Sequence, residues 1–345
     1  MDHIPERKTV DIILDDFLAG KKHIAERTRV AHLLELFADF LANGERIRTA
    51  LTVLGWQAAG GHGDSDRVAR VAAALEMFHA FALIHDDLMD ESDTRRGRPT
   101  LHRALAERAE PGRAEHSGNK FALLLGDLAF TWSDELLHTA DLTAQQLRAV
   151  LPLIVEMRSE VLAGQYLDLR AAGELTDDVD ATMSVNRYKT AKYTVERPLH
   201  IGAALAGAGP EAMAGFSAYA LPLGEASRLR DDLLGVYGDV GDTGKSHLDD
   251  LRSGKNTTLL ALALRAARPA QAARLRTLLG DPLLDETGAA EVRAVCTATG
   301  ARRTVERMID DRRRQALRAL DTAPFDAGAT TALKDLAHTA TRRSA

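Results

Sequence analysis

The stretch RVARVAAALEMFHAFALIHDDLMDE, residues 67–91, constrains this chain more than any other. It repeats apolar residues at three- and four-residue spacing and contains neither glycine nor proline, which calls for a long, largely buried helix. Asp64 or Ser65 can cap its start, and ESDTRRGRPT breaks it. Asp86, Asp87 and Asp90 close the helix at i, i+1 and i+4, so Asp86 and Asp90 share one face. Like charges so placed destabilise a helix unless a cation lies between them, and carboxylates on a buried helix need a partner. Hard oxygen donors suit Mg2+. A solvated acidic helix end is the alternative that this motif alone leaves open.

The rest of the chain reads the same way. Alanine and leucine dominate and aromatics are 5%, which favours helices over strands. Further helices are predicted at 120–139, 143–170, 181–206, 211–237, 256–279, 288–299 and 301–321, separated by polar, Gly- and Pro-containing segments. The expected architecture is an all-α, single-domain helical bundle over residues 1–345, frayed at 1–10 and 340–345. A formal net charge of -6, with basic residues dispersed, gives no footprint for nucleic acid. The single cysteine, Cys296, excludes an internal disulfide and fits a reducing compartment, as a helix-packing residue. The charged N-terminal segment lacks the apolar core of a signal peptide, and FALLLGDLAF (121–130) is too short to span a bilayer. A cytoplasmic location is expected.

Aspartate pairs start at 15, 86, 177, 231, 249 and 310, so a bare pair says little. The pair in RLRDDLLGVYGD, Asp231 and Asp232, shares the apolar helical setting of the first, and Asp239 follows two turns on. Basic residues follow both: Arg95, Arg96 and Arg98, then Lys245, Arg252 and Lys255. Carboxylates alternating with cations are what a diphosphate–magnesium complex requires, because metals bridge acid to phosphate and Arg or Lys binds the remaining oxygens. No GxxxxGK[ST] phosphate loop and no GxGxxG after a strand is present, so a nucleotide is not the obvious ligand.

Taken together, GERIR (44–48), EMFHAFALIHDDLMDESDTRRGRPTLH (76–102), LLLGD (123–127), GQYLDL (164–169), YKTAKYTVERP (188–198), RDDLLGVYGD (230–239) and TGKSHLDDLRSGKNT (243–257) resemble the trans-prenyl diphosphate synthases of the polyprenyl synthetase family, in family order. Within it, the chain resembles bacterial geranylgeranyl diphosphate synthases. The resemblance implies the isoprenoid synthase fold, a homodimer, and about three Mg2+ per active site. By it, Asp86 and Asp90 would hold two ions with Asp87 in support, and Asp231, supported by Asp232, a third. Arg95, Lys189, Lys245 and Lys255 would bind an allylic prenyl diphosphate, with Thr190 beside the reacting carbon. Arg48, His79 and Arg96 would bind the diphosphate of isopentenyl diphosphate. A lone histidine on an apolar helix face is usually a core residue. His79 stands two turns before Asp86 on the same face, which favours a ligand role.

Three positions depart from the family pattern. The lysine of the GGKR element is Glu45, which replaces attraction to a phosphate by repulsion, a swing of roughly 2–5 kcal/mol if the site is partly buried. The Phe-Gln before the second pair is Ser227-Arg228, and the last aspartate of the second DDxxD is Gly235. Arg228 would compensate for the missing lysine if it reached the same phosphate. The leading expectation is Mg2+-assisted ionisation of the allylic substrate followed by attack of isopentenyl diphosphate. The alternatives are a relative with a changed acceptor, either a terpene cyclase or a prenyltransferase for another nucleophile, and a regulatory subunit of a heteromeric synthase. Phe81 and Phe78, five and eight residues before Asp86, with the small Ala82, suggest by resemblance a C20 product; packing of the core is the plainer account of both rings.

Overall fold

The computed structural model describes residues 6–42, 44–63, 65–108, 114–172, 175–238 and 248–342. Among these the regular structure is all helical, apart from one two-stranded hairpin in which Thr94–Arg95 (β1) pairs antiparallel with Arg98–Pro99 (β2). It divides into two compact units, Met1–Val150 with Gly202–Gly207, and Leu151–Ile201 with Ala208–Ala345.

The first unit is organised by the helix that the apolar stretch predicts, here α4 (Asp66–Met89), after α1 (Glu6–Arg27), α2 (Ala31–Ala42) and α3 (Ile47–Ala58). Its Val71, Met77, Phe78 and Ile84 are buried among Val10, Leu14, Phe37 and Leu51 of the three preceding helices. Helices α5 (Leu101–Glu107) and α6 (Ala114–His138) complete it, with Trp132 edge-on to both Phe17 and Phe37. Length and composition would let α4 cross a membrane, but 72% of its most apolar window is buried inside the protein. It is a core helix.

The second unit contains most of α7 (Ala144–Ala171), then α8 (Val179–Asn186), a π-helix (Arg187–Glu196), the start of α9 (Arg197–Leu205), and α10 (Pro210–Tyr237). It ends with α11 (Asp249–Arg252), α12 (Thr258–Ala266), α13 (Pro269–Leu278), α14 (Glu286–Ala298), α15 (Ala301–Thr322) and α16 (Ala327–Arg342). Leu229, Leu233 and Val236 of α10 form its core with Leu259, Leu260, Leu275, Val292, Val305 and Ile309. Cys296 lies in this core, and burial pushes its thiol up to about 12, so it is an inert packing residue.

Several expected boundaries move. The helix expected at 181–206 is three segments, because ten residues adopt π geometry in its middle. The one expected at 256–279 breaks before Pro269, whose ring cannot continue a helix but suits the first turn of the next. Fraying does not reach 6–10 or 340–342, which are helical, and Val10 and Thr341 are buried.

Candidate active site

In the first unit, the three aspartates at the end of α4 have different surroundings. Asp87 is 1% exposed and lies against Arg95, whose Nε donates to both carboxylate oxygens at 2.9 Å. Arg95 Nη2 also donates to Asp86 Oδ2 at 3.2 Å. Burial opposes the Arg95 charge, yet Asp87 foremost, then Asp86 and Asp90, hold its pKa above the ordinary value. Asp86 is half-buried, and Asp90 half-buried at the helix end, where its backbone N–H donates to the Asp86 carbonyl. Arg95 therefore grips the buried Asp87 through both carboxylate oxygens and reaches Asp86 by one longer bond, while Asp86 and Asp90 are both half-buried.

The hairpin sets Arg95 there. Its two central residues, Arg96 and Gly97, both have positive φ, 52° and 72°, as a tight two-residue turn between twisted strands demands. Arg96 thus occupies a left-handed conformation that a side-chain-bearing residue rarely adopts. Burial pulls its guanidinium below its ordinary pKa, with the Glu45 carboxylate the chief opposing influence. Glu45 itself is exposed.

His79 lies on α4 amid four guanidiniums. Burial first, then Arg48, Arg95, Arg96 and Arg46, hold its pKa well below 6.5, so its ring is neutral at neutral pH. A site this positive selects an anion rich in oxygen. Arg46 also ties helices together, since its Nε donates to Asp11 Oδ1 at 2.8 Å and its Nη2 to the Leu41 carbonyl at 2.9 Å. Glu76, buried one helical turn before His79, accepts from the Thr49 backbone N–H at 3.1 Å and from its hydroxyl at 3.0 Å. Sequence reasoning misses Arg46 and Glu76, although both stand inside the family motifs.

Phe78 and Phe81 meet in a ring cluster with Phe130 of α6. Phe81 lies 5.2 Å from Phe78, 5.3 Å from Phe130 and 4.6 Å from the His85 ring, and Phe78 lies 5.9 Å from Phe130. Ala82 is half-buried beside them. Gly126 admits His85, since a Cβ there would stand 2.3 Å from its Nε2. Phe130 and His85 are also missed by the sequence reading, because nothing there marks a ring on a neighbouring helix as a partner of Phe81.

The second unit holds a similar division of labour. Asp231 is exposed, whereas Asp232 is 5% exposed and forms an ion pair with Arg228, whose Nε stands 3.1 Å from its Oδ1, one turn earlier on α10. Burial raises the Asp232 carboxyl above its ordinary pKa, and Arg228 is the strongest influence against it. Burial likewise opposes the Arg228 charge, but Asp232, Asp231, Asp168 and Asp250 together raise its pKa. Arg228 is thus held within the second unit's aspartates. Asp250 also explains Gly235: a Cβ at 235 would stand 2.3 Å from Asp250 Oδ2, so a carboxylate from another segment fills the space beside that position.

Lys189 and Thr190 belong to the π-helix, a geometry frequent at functional sites. Lys189 Nζ donates to Asp168 Oδ2 at 2.6 Å. Burial disfavours the Asp168 charge, but Lys189, Lys255 and Arg228 outweigh it and hold the carboxyl below its ordinary pKa. Two glycines let the neighbouring helices reach this segment: a Cβ at Gly164 would stand 2.7 Å from the Lys189 nitrogen, and one at Gly224 2.4 Å from the Ala191 Cα. Lys245 and Asp239 lie outside the described residues.

Among the described residues no three His, Cys, Asp or Glu side chains converge on one point as a protein-only metal cage would require. Mg2+ bound with a diphosphate needs no such cage, because one or two carboxylates, phosphate oxygens and water complete its shell. In the first unit Asp86 with Asp90, one turn apart, fits that demand, and in the second the exposed Asp231 does.

The sequence pattern of the polyprenyl synthetase family matches residues 30–297. The chain is 31% identical over 240 residues, 69% of each protein, to a short chain isoprenyl diphosphate synthase of Methanothermobacter thermautotrophicus. It is 31% identical over 304 residues, 87% of this chain and 86% of the other, to the octaprenyl diphosphate synthase of Escherichia coli. It superposes with a TM-score of 0.93 and 37% identity on a geranylgeranyl pyrophosphate synthase from Corynebacterium glutamicum complexed with isoprenyl diphosphate and magnesium, covering 98% of this chain and 99% of that one. Motifs, fold and relatives agree, and the chain belongs to the polyprenyl synthetase family of prenyltransferases.

Proposed function

We propose that this protein is a chain-elongating trans-prenyl diphosphate synthase that joins an allylic prenyl diphosphate to isopentenyl diphosphate with Mg2+ and makes a C20 product. The observation that carries the reading is the arginine-ringed His79 two turns from Asp86 on one buried helix. When bound, Mg2+ supplies Lewis-acid charge that stabilises pyrophosphate as it departs. Asp86, Asp90 and Asp231 would hold the ions, with Asp87 and Asp232 fixing the geometry behind them.

Arg48, Arg96 and the neutral His79 bind the acceptor diphosphate, His79 as an N–H donor. Lys189, Lys255 and Arg228 are assigned to the allylic diphosphate, with Thr190 beside the reacting carbon and Lys245 joining them by resemblance. Loss of pyrophosphate leaves an allylic cation that the acceptor alkene attacks, and a proton then leaves to pyrophosphate. None of these steps needs a side-chain nucleophile.

Glu45 favours a second reading, an enzyme that ionises the same donor but uses another acceptor, because its carboxylate, which supports the charge of Arg96, also offsets part of the positive field that an acceptor diphosphate would meet. Product analysis decides between them. Purified protein with Mg2+ is given C5, C10, C15 or C20 allylic diphosphates, with and without labelled isopentenyl diphosphate. Label in a longer diphosphate supports elongation. Pyrophosphate release with an unlabelled hydrocarbon or alcohol sinks it in favour of the second reading.

The C20 assignment rests on the resemblance, by which Phe78 and Phe81, here packed with Phe130, would form the floor of a tunnel for the growing chain. Replacing Phe81 by Ala removes that floor, and the product is expected to lengthen by at least one C5 unit. An unchanged product length would remove Phe81 from the argument.

A further inference from the structure

Arg228 differs in kind from the other cations of its set. It stands on α10 one turn before Asp232, its Nε is 3.1 Å from Asp232 Oδ1, and the carboxylate it grips is buried. Its own side chain is 28% exposed. A guanidinium has five N–H donors in a fixed plane, and one edge on Asp232 leaves donors that match phosphate oxygens. Among the described residues, the surroundings hold four carboxylates, of Asp168, Asp231, Asp232 and Asp250, and three cations, of Lys189, Arg228 and Lys255. A neutral residue at 228 would leave one more uncompensated negative charge. With arginine in place, that charge is already matched.

We infer that Arg228 is a tethered cation that competes with a divalent cation for the second aspartate pair, so that metal binding there is weak until a diphosphate engages the guanidinium. The pair Arg228–Asp232 neutralises the carboxylates that would otherwise attract a free metal ion. An arriving diphosphate offers the guanidinium better oxygen partners, draws it off Asp232, and completes the metal's shell from its own oxygens. The order of binding then follows from one side chain. Arg228 is a positioning residue here, and the inference rests on the metal-dependent reading above.

Binding of Mn2+, followed by the loss of its free-ion electron paramagnetic resonance signal, tests this without turnover. The wild-type protein is compared with R228Q, R228K and R228Q/D231N, each with and without inorganic pyrophosphate. Without pyrophosphate, R228Q is expected to bind an additional Mn2+ with affinity roughly tenfold above wild type. R228K, which keeps the charge, should behave as wild type, and the gain should vanish in R228Q/D231N. With pyrophosphate, wild type should reach the R228Q stoichiometry. Equal Mn2+ binding by wild type and R228Q without pyrophosphate overturns the inference and leaves the enzyme's metal dependence standing, provided both bind Mn2+ with pyrophosphate. No Mn2+ on either protein even with pyrophosphate overturns the metal reading and the inference with it.

Discussion

Asp86 and Asp87 are adjacent and chemically identical, yet the fold gives them opposite duties. Asp87 points into the protein onto Arg95, and removing it leaves a guanidinium, itself only 19% exposed, with the longer 3.2 Å contact to Asp86. Breaking such a pair by Asp87→Ala should cost about 3 kcal/mol in urea denaturation. Asp86→Asn should stay within about 1 kcal/mol of wild type while turnover collapses; equal stability loss in both variants would refute the division. The spacing of the motif displays both carboxylates, but which one turns inward depends on the phase of α4 against its neighbours, and a sequence does not state that phase. His79 makes a second residue-level prediction. Its folded pKa lies below 6.5, so below that pH the unfolded chain binds a proton that the folded protein resists. Stability should therefore be full above pH 6.5 and fall as the pH drops from there toward the lowered value. His79→Gln should flatten the melting temperature against pH over that window, and an unaltered slope would show that other groups set it.

At the scale of elements, the π-helix depends on the absence of two side chains. Gly164 of α7 and Gly224 of α10 bring backbone within reach of Lys189 and Ala191. Gly224→Ala should displace the segment, cost about 1–3 kcal/mol by overpacking, and lower kcat/KM through Lys189 and Thr190. Calorimetry with steady-state kinetics checks it, and a fully stable, fully active variant would argue that the segment yields without consequence. The long helices were legible because α4 and α10 keep one apolar period across more than twenty residues. The π segment was not, since an inserted residue changes the hydrogen-bond ladder without leaving a mark on composition. In α2, by contrast, Leu33, Leu34, Phe37, Phe40 and Leu41 carry a readable helical period that the expected helices leave out.

At the scale of the whole molecule, each unit leaves an apolar stripe in solvent. On α6 the stripe is Phe121, Leu124 and Leu128, with Leu123 beside it; on α7 it is Leu151, Val155, Leu162, Tyr166 and Leu169. Contiguous apolar surface of this kind marks an interface more often than a free surface, and a homodimer is the proposed occupant. Sedimentation should find a dimer for the wild type and a monomer for Leu124→Arg, whereas a monomeric wild type would end that proposal. The ion pairs have a consequence for the protein as a whole. Arg95 on Asp87, Lys189 on Asp168 and Arg228 on Asp232 make the protein an internal salt, with acid and base neutralising each other in place. Loading such a protein with a metal diphosphate is an ion exchange: carboxylates trade a guanidinium for a metal, and cations trade a carboxylate for a phosphate.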